Sequence, residues 1–387
     1  MWWPRALATA HRASRVAFVP DESAEVVIVG GGAVGTSVAW HLTELGVTDV
    51  VLLERDALGS GSTSKSAGGI RAQFADELNV RIALRSLAEL ESFEERHGVD
   101  IGLVQPGYLF LLDREEDAAR FRAALALQQR LGVPSREISP ADAEEIVPGL
   151  VTDDLVAATF CPTDGYATPE AVVAGWASSA RDRGVRIRQG ETVSEIELDA
   201  GRIAAVVTPR FRIATDMLVC AAGAWSREVA ALLGIDLPVH GERRALHFTP
   251  ESGGLPAPLP LTVDFATGLY FHSEGDGLVF GARETELEDV AEHAARRLPL
   301  LAELPVRASW TGLYEMSPDH NAIVGELADP GRFLYATGFS GHGFQQAPAV
   351  GEHLAELVVG REPTLDLSPF SLERFAAGVI REERFVI

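Results

Sequence analysis

The chain has 387 residues, 47% of them hydrophobic and 23% charged, the balance of an ordinary folded protein, which excludes a disordered or fibrous chain. With 33 basic against 56 acidic residues its formal charge is −23, and Coulomb repulsion argues against nucleic acid or anionic membrane as a partner. Two cysteines, Cys161 and Cys220, supply neither a disulfide framework nor a thiolate set for zinc, so small core residues in a reducing, cytoplasmic compartment are expected.

At roughly 100–200 residues per domain, two or three units are expected. No apolar run approaches the roughly 18–20 residues that cross a bilayer. Residues 1–20 carry Arg5, Arg12 and Arg15 and no acid, and read either as a targeting segment or as a surface extension; Pro4 and the missing apolar stretch favour the extension. Lys65 is the only lysine, and it lies in the most glycine- and serine-rich stretch of the N-terminal half.

A β-branched run at 25–29 ends in Gly30-Gly31-Gly32-Ala33-Val34-Gly35 and a helical pattern through Leu45; a second apolar run, 49–53, ends at Glu54. Strand, glycine turn, helix, strand and an acid about 20 residues past the turn are the parts of a dinucleotide-binding βαβ unit. Gly30 makes the turn, Gly32 lets backbone approach a pyrophosphate, and Gly35 lets the helix pack closely. The helix start offers unpaired N–H groups to phosphate, and Glu54 suits a ribose hydroxyl while disfavouring a ribose phosphate.

The motif does not separate NAD from FAD; the next segment does. Instead of a third βα repeat, residues 59–71 read Gly-Ser-Gly-Ser-Thr-Ser-Lys-Ser-Ala-Gly-Gly-Ile-Arg, small hydroxylated residues suited to lying against a flat ring and binding pyrophosphate, or else a linker. A patterned helix at 78–96 follows. A helix is expected at 115–131 in an inserted half, then meander strands at 186–196 and 201–208, then a buried strand at 217–220 leading into Ala221-Ala222-Gly223-Ala224-Trp225 and a helix to Leu233. Residues 240–310 read as an antiparallel substrate layer with strands at 268–273 and 277–282. A last strand, 333–337, enters the glycine turn 338–343 and a helix expected at 347–359 with Pro348 in its first turn. That helix start, aimed at a ring, would stabilise negative charge on a reduced flavin.

The glycine turn with Glu54, the 62–71 loop, Ala222-Gly223-Ala224-Trp225, Ser317-Pro318-Asp319 and Gly338-Phe339-Ser340-Gly341-His342-Gly343-Phe344 together resemble the D-amino-acid oxidase family of flavoproteins, over residues 26–360. That family includes sarcosine oxidases, glycine oxidase and dimethylglycine dehydrogenases, and the last motif is similar to the sarcosine oxidase subgroup. The resemblance implies an α/β, α+β two-domain flavoprotein. Its FAD-binding unit, of the glutathione-reductase Rossmann type, would comprise 21–97, 148–230 and 311–387. An interleaved substrate domain with a mixed, largely antiparallel sheet would comprise 98–147 and 231–310. It implies oxidation of a C–N bond of a small amino acid or N-alkyl glycine to an imine, with hydride transfer to flavin N5.

The same resemblance implies FAD contacts from Gly30, Gly32, Ala33, Val34, Gly35, Glu54, Arg55, Ser62, Thr63, Ser64, Lys65, Ala67, Gly68, Gly69, Val193, Ala222, Gly223, Trp225, Gly312, Gly338, Gly341, His342, Gly343, Phe344 and Gln345. Arg71 matches a carboxylate-binding arginine, able to hold a carboxylate by two parallel hydrogen bonds, with a surface ion pair as its other reading. Tyr270 and Tyr314 either line the cavity above the ring or are core tyrosines, and His342 either moves a proton or holds the turn. Tyr270, Tyr314, Lys65, Arg71 and His342 are the catalytic candidates; Arg283 and His272 are weaker ones.

Three departures bear on the chemistry. Gly312 stands where monomeric sarcosine oxidases carry the cysteine linked to flavin, so FAD is expected to be non-covalent. Val279 stands where they carry a lysine that assists reaction with oxygen; Lys65 either supplies that charge from another direction or is exposed to solvent, and oxygen, a quinone or an acceptor protein is left as electron acceptor. Gln345 stands where they carry a carboxylate-binding lysine. No Ser/His/Asp or metal-ligand spacing occurs. A flavin-dependent 2-hydroxy-acid dehydrogenase and a non-catalytic FAD-binding assembly factor are the alternative readings, and an oligomer is compatible with either.

Overall fold

Val26–Val29 is a β-branched run buried on both faces, the pattern of a central parallel strand. In the computed structural model, which describes residues 22–386, it pairs in parallel with Val50–Glu54 on one side and Leu218–Cys220 on the other. Residues 1–20, expected as an extension, lie outside the described residues. The sheet runs Ile323–Glu326, Phe333–Thr337, Leu218–Cys220, Val26–Val29, Val50–Glu54, Arg186–Gln189, with an antiparallel pair at its first edge and parallel pairing elsewhere.

Side chains alternate across this sheet with period two. Val26, Ile28, Val50 and Leu52 face a helical layer in which Trp40 of helix Ala33–Glu44, Trp176 of Pro169–Asp182 and Leu354 of Gly343–Val358 are buried. The first and last of these helices touch backbone to side chain: a Cβ at Gly351 would come 2.1 Å from Ser37 Oγ. Val27, Val29, Val51 and Leu53 face the other way, onto the meander Glu195–Asp199, Arg202–Val207, Arg212–Ala214, whose edge takes Glu22–Ser23 in parallel.

A second, eight-stranded sheet runs Ala308–Met316, His240–Thr249, Gly277–Gly281, Tyr270–Glu274, Leu261–Asp264, Tyr108–Leu112, Ala157–Cys161, Arg136–Ile138. Leu261–Asp264 pairs in parallel with Tyr108–Leu112, and the other pairs are antiparallel. Leu109 and Leu111 pack on one side with Phe271 and Phe280; Tyr108, Phe110 and Leu112 pack on the other with Phe121 and Tyr270. Helix Leu287–Arg297 is tied to this sheet by Arg297, fully buried, which pairs with Asp264 at 2.8 Å and with Asp154 at 2.8 Å.

Several expected boundaries are corrected. Ala157–Cys161 falls within 148–230 yet pairs with two strands of the second sheet, because five consecutive buried residues need cover on both faces. Ala308–Met316 straddles position 311 and pairs along its length with His240–Thr249. Arg186–Gln189 is not a meander strand; Gly190, at φ +72°, ends it as the edge of the parallel sheet, and the meander starts at Glu195. The 78–96 helix is two, Glu77–Glu91 and Phe93–His97, broken at Ser92. The last long helix begins at Gly343, so Pro348 lies inside it, and the Phe344 carbonyl lacks the N–H it would otherwise receive. Among the described residues no helix is long and apolar enough to cross a membrane.

Candidate active site

The glycine turn brings three separate chain segments together through backbone contact. Gly30, at φ +111°, donates its N–H to Leu53 O at 2.8 Å, and a Cβ there would lie 2.2 Å from Ala221 O. A Cβ at Gly35 would lie 1.9 Å from Gly30 O, so both positions exclude any side chain. Helix Ala33–Glu44 starts at Gly32 without a side-chain cap and without an acid in its first turn. Thr63 Oγ1 accepts from Ala33 N at 3.2 Å, bringing the serine-rich loop onto the same helix start. Glu54 accepts from Gly31 N and from Asp56 N, each at 2.7 Å; each carboxylate oxygen keeps a second lone pair for a ribose hydroxyl.

A cavity of about 420 Å³ runs from this turn to the second sheet. Gly30, Gly32, Ala33, Val34, Glu54, Arg55, Ser62, Thr63, Val193, Ala222, Gly223 and Trp225 line it, with Arg55 lying 4.4 Å over the Trp225 ring. Its other end is lined by Lys65, Gly312, Tyr270, Tyr314, Gly341, Gly343 and Phe344. A Cβ at Gly312 would come 2.6 Å from Lys65 Cβ, so the bare position accommodates the path of the lysine stem. A smaller chamber of about 70 Å³ adjoins this end; Ser66, Tyr270, Tyr314, Gly341 and Phe344 border both, and Ala67, Gly68, Gly69, Arg71, Tyr108, Leu261, Ser340, His342 and Gln345 complete the chamber wall.

Three expected contacts do not reach either space. Gly35 lies behind the turn, Ser64 donates its backbone N–H to Gly59 O, and Gly338, at φ +71°, packs on Ser317, Ile323 and Val239. Arg283 bonds the carbonyls of Phe265 and Ala266 away from the cavity. His272 sits 2.8 Å from Ala67 O and stacks on Tyr166, so it braces the loop; burial brings its pKa down to about 4.

Arg71 is 2% exposed and has no acid within ion-pair distance among the described residues, which corrects the surface-pair reading. Its guanidinium lies 4.1 Å over the Phe74 ring. Nη1 donates to Gln73 O, and Nη2 faces both Phe385 O at 2.5 Å and His342 Nε2 at 2.9 Å. The fork expected to hold a carboxylate is therefore filled by protein groups. Gln345 Oε1 accepts from the backbone N of Arg71 at 2.7 Å, so it holds the loop. Burial, then the charge on Arg71, holds the His342 pKa well below its ordinary value, leaving a neutral ring that accepts from Arg71.

The phenols of Tyr108, Tyr270 and Tyr314 are all pushed up, chiefly by burial, and stay protonated. Glu315, whose Oε2 lies 3.0 Å from Thr337 Oγ1, lines the larger cavity, and burial pushes its pKa up to about 7. Sequence reading missed Glu315, Tyr108, Arg244 and the C-terminal segment. Arg244 carries no sequence signal, since it follows His240 and Glu242 on its strand face. The C-terminal segment carries no motif. It is fixed by Glu383, whose carboxylate accepts from Asn79 Nδ2 at 3.0 Å and from Ala75 N at 3.3 Å, and by Phe385, stacked on Phe121 at 3.9 Å.

Residues 25–357 match the family described as DAO, FAD dependent oxidoreductase. The chain is 33% identical to FAD-dependent oxidoreductase domain-containing protein 1 of Bos taurus, over 95% of this chain and 88% of that protein. It is 29% identical to mitochondrial dimethylglycine dehydrogenase of Rattus norvegicus over 92% of this chain, and spans 45% of that relative's length. Among solved structures, L-proline dehydrogenase from P. horikoshii superimposes with a TM-score of 0.87 at 32% identity, over 94% of this chain and 100% of the other. The chain belongs to the DAO family of FAD-dependent oxidoreductases, and FAD is its cofactor.

Proposed function

We propose that the protein oxidises the C–N bond of a small amino acid or N-alkyl glycine, with FAD held non-covalently along the larger cavity and the substrate in the 70 Å³ chamber. The residues fit the cofactor: the start of Ala33–Glu44, with no cap from Gly32 and no acid in its first turn, suits its pyrophosphate, Glu54 its ribose, and the glycines of both turns leave backbone in reach of a flat ring. Bound FAD supplies a two-electron acceptor. Gly312 offers no sulfur for a covalent link, and the Lys65 stem takes the space a side chain there would need.

The observation that carries the substrate reading is the chamber's polarity. Its wall holds neutral phenols, a neutral imidazole and one cation, and no carboxylate. Such a wall favours an anionic carboxylate and gives an ammonium no partner, so it takes the amine in its neutral form, with the lone pair needed for C–N oxidation. A hydroxy acid instead needs a base for its hydroxyl proton, and His342 Nε2 is occupied by Arg71. One hydrogen leaves with the electron pair from a carbon bonded to nitrogen; a primary or secondary amine also loses its N–H proton to give an imine, a tertiary amine gives an iminium ion, and water then hydrolyses either. Dimethylglycine and L-proline, named for the relatives, both carry a secondary or tertiary amine beside a carboxylate.

The reading is tested with dye-linked assays on L-proline, sarcosine, dimethylglycine, glycine and 2-hydroxyglutarate across pH. The expected result is turnover of at least one amine, with kcat/KM rising about tenfold per pH unit below the amine pKa. Turnover of the hydroxy acid alone would replace this reading, and no turnover with any of them would favour a binding platform.

A further inference from the structure

Glu315 lines the larger cavity between the segment that follows Leu218–Cys220 and the second glycine turn. Its Oε2 lies 3.7 Å from where a Cβ on Gly223 would stand, and its Oε1 lies 3.4 Å from where one on Gly343 would stand. Thr337 Oγ1 is 3.0 Å from Glu315 Oε2 and 3.1 Å from Gly223 O, and a hydroxyl has one hydrogen for these two acceptors. A proton on Glu315 satisfies both: the carboxyl donates to Thr337 Oγ1, and Thr337 donates to Gly223 O. Without that proton the two acceptors compete.

No cation offsets an ionised Glu315. Among the described residues no arginine, lysine or histidine lies within ion-pair distance of it. Gly241 is its partner across the sheet, Arg243 on the same face is exposed, and Arg244 on the other face is held by Glu242. From strand Leu218–Cys220 the Cys220 thiol, pushed up to about 11 chiefly by burial, keeps its proton. Glu228 of helix Ser226–Ala231 is exposed, and the His342 ring in the glycine turn is neutral. What remains is the start of helix Gly343–Val358, which has no side-chain cap and no acid in its first turn. An ionised Glu315 draws on that positive end, and so does negative charge arriving on a ring at this end of the cavity.

We propose that Glu315 is the proton-holding group of the cofactor cavity: it takes one proton from solvent when the bound flavin gains two electrons, and releases it when the flavin is reoxidised. The bond formed is the carboxyl O–H, the electrons come from the reductant, and they leave with the acceptor as the proton returns to solvent. The proposal rests on FAD lying along the larger cavity and is independent of which substrate is oxidised. Burial pushes the carboxyl up to about 7, with Thr337 and the Gly338 and Phe339 amides partly offsetting it. Added negative charge favours the protonated form further. Well below that pH Glu315 is protonated before reduction and takes up nothing; above it, reduction brings the extra proton.

The test reads the flavin midpoint potential of FAD-loaded protein, reduced anaerobically beside a reference dye, from about pH 5.5 to about pH 9.5. On the alkaline side the wild-type potential is expected to fall more steeply than that of E315Q by one proton per two electrons, a tenfold change per pH unit or about 30 mV. The neutral amide mimics the protonated acid, so the two potentials approach each other at the acid end and E315Q lies higher at the alkaline end. Parallel lines over the whole range overturn the proposal, because Glu315 then keeps one protonation state throughout. Should E315Q fail to load FAD, infrared difference spectra of wild type and E315D decide. Reduction at alkaline pH should produce a carboxylic-acid carbonyl band that E315D shifts and that is missing at the acid end; no such band, or one that E315D leaves in place, overturns it equally.

Discussion

The two ends of the cavity are built by different means. At the glycine turn the surface is main chain: Gly30, Gly32 and the first amides of helix Ala33–Glu44, with Ala221 O packed where a side chain would otherwise be. At the ring end the surface is side chains delivered by strands far apart in sequence, Tyr270, Tyr314 and Arg244, and closed by a loop and a C-terminal strap meeting at Arg71. A main-chain cradle is rigid and tolerates no added volume. A side-chain wall can change its chemistry while the cradle stays the same, which is how one fold serves many substrates.

The largest effect that would break this contrast is at the cradle. Gly35→Val places atoms on the Gly30 carbonyl, and loss of FAD binding by 100-fold or more is expected, about 3 kcal/mol or more, measured by fluorescence titration of the apoprotein. Retained affinity would mean that the turn does not hold the cofactor. Next comes the strap. Phe385→Ala removes a ring stacked on Phe121 and should lower stability by up to about 3 kcal/mol in urea titrations while FAD affinity changes less than threefold. Equal loss of both would show the two ends to be one unit.

The smallest effect is electrostatic. The Glu315 carboxyl is pushed up to about 7 from an ordinary 4.5. Below the lower value it is protonated in both the folded and the unfolded chain. Between the two values the unfolded chain ionises first, so folding stability falls as pH rises, and above about 7 the penalty is constant. Glu315→Gln removes this contribution: in apoprotein melts its advantage over wild type should grow from about pH 5 to about pH 7, to an order of 2 kcal/mol. A pH-independent difference would remove Glu315 as the cause.

The cradle could be read in the sequence because local steric rules write it: a glycine at positive φ between a β-branched strand and a helix has few other uses, and Glu54 follows at fixed spacing. The ring end was read in part. Tyr270, Tyr314 and His342 do border the chamber, but Arg71 was read as an open fork, because nothing in positions 379–386 announces that Phe385 O will occupy it. Arg244 was passed over because only the strand register shows that it faces Gly312. Pro348 misled because a helix-start preference was applied to a helix whose start had moved four residues upstream, to the glycine turn itself.

The central claim, that the main-chain cradle holds FAD and the adjoining chamber oxidises an amine, is tested most directly by anaerobic titration of the purified yellow protein with L-proline, sarcosine and dimethylglycine. Stoichiometric bleaching of the long-wavelength flavin band by at least one of them is expected, with all the flavin released into solution on acid precipitation. A band that none of these amines bleaches, while a 2-hydroxy acid does, would contradict it.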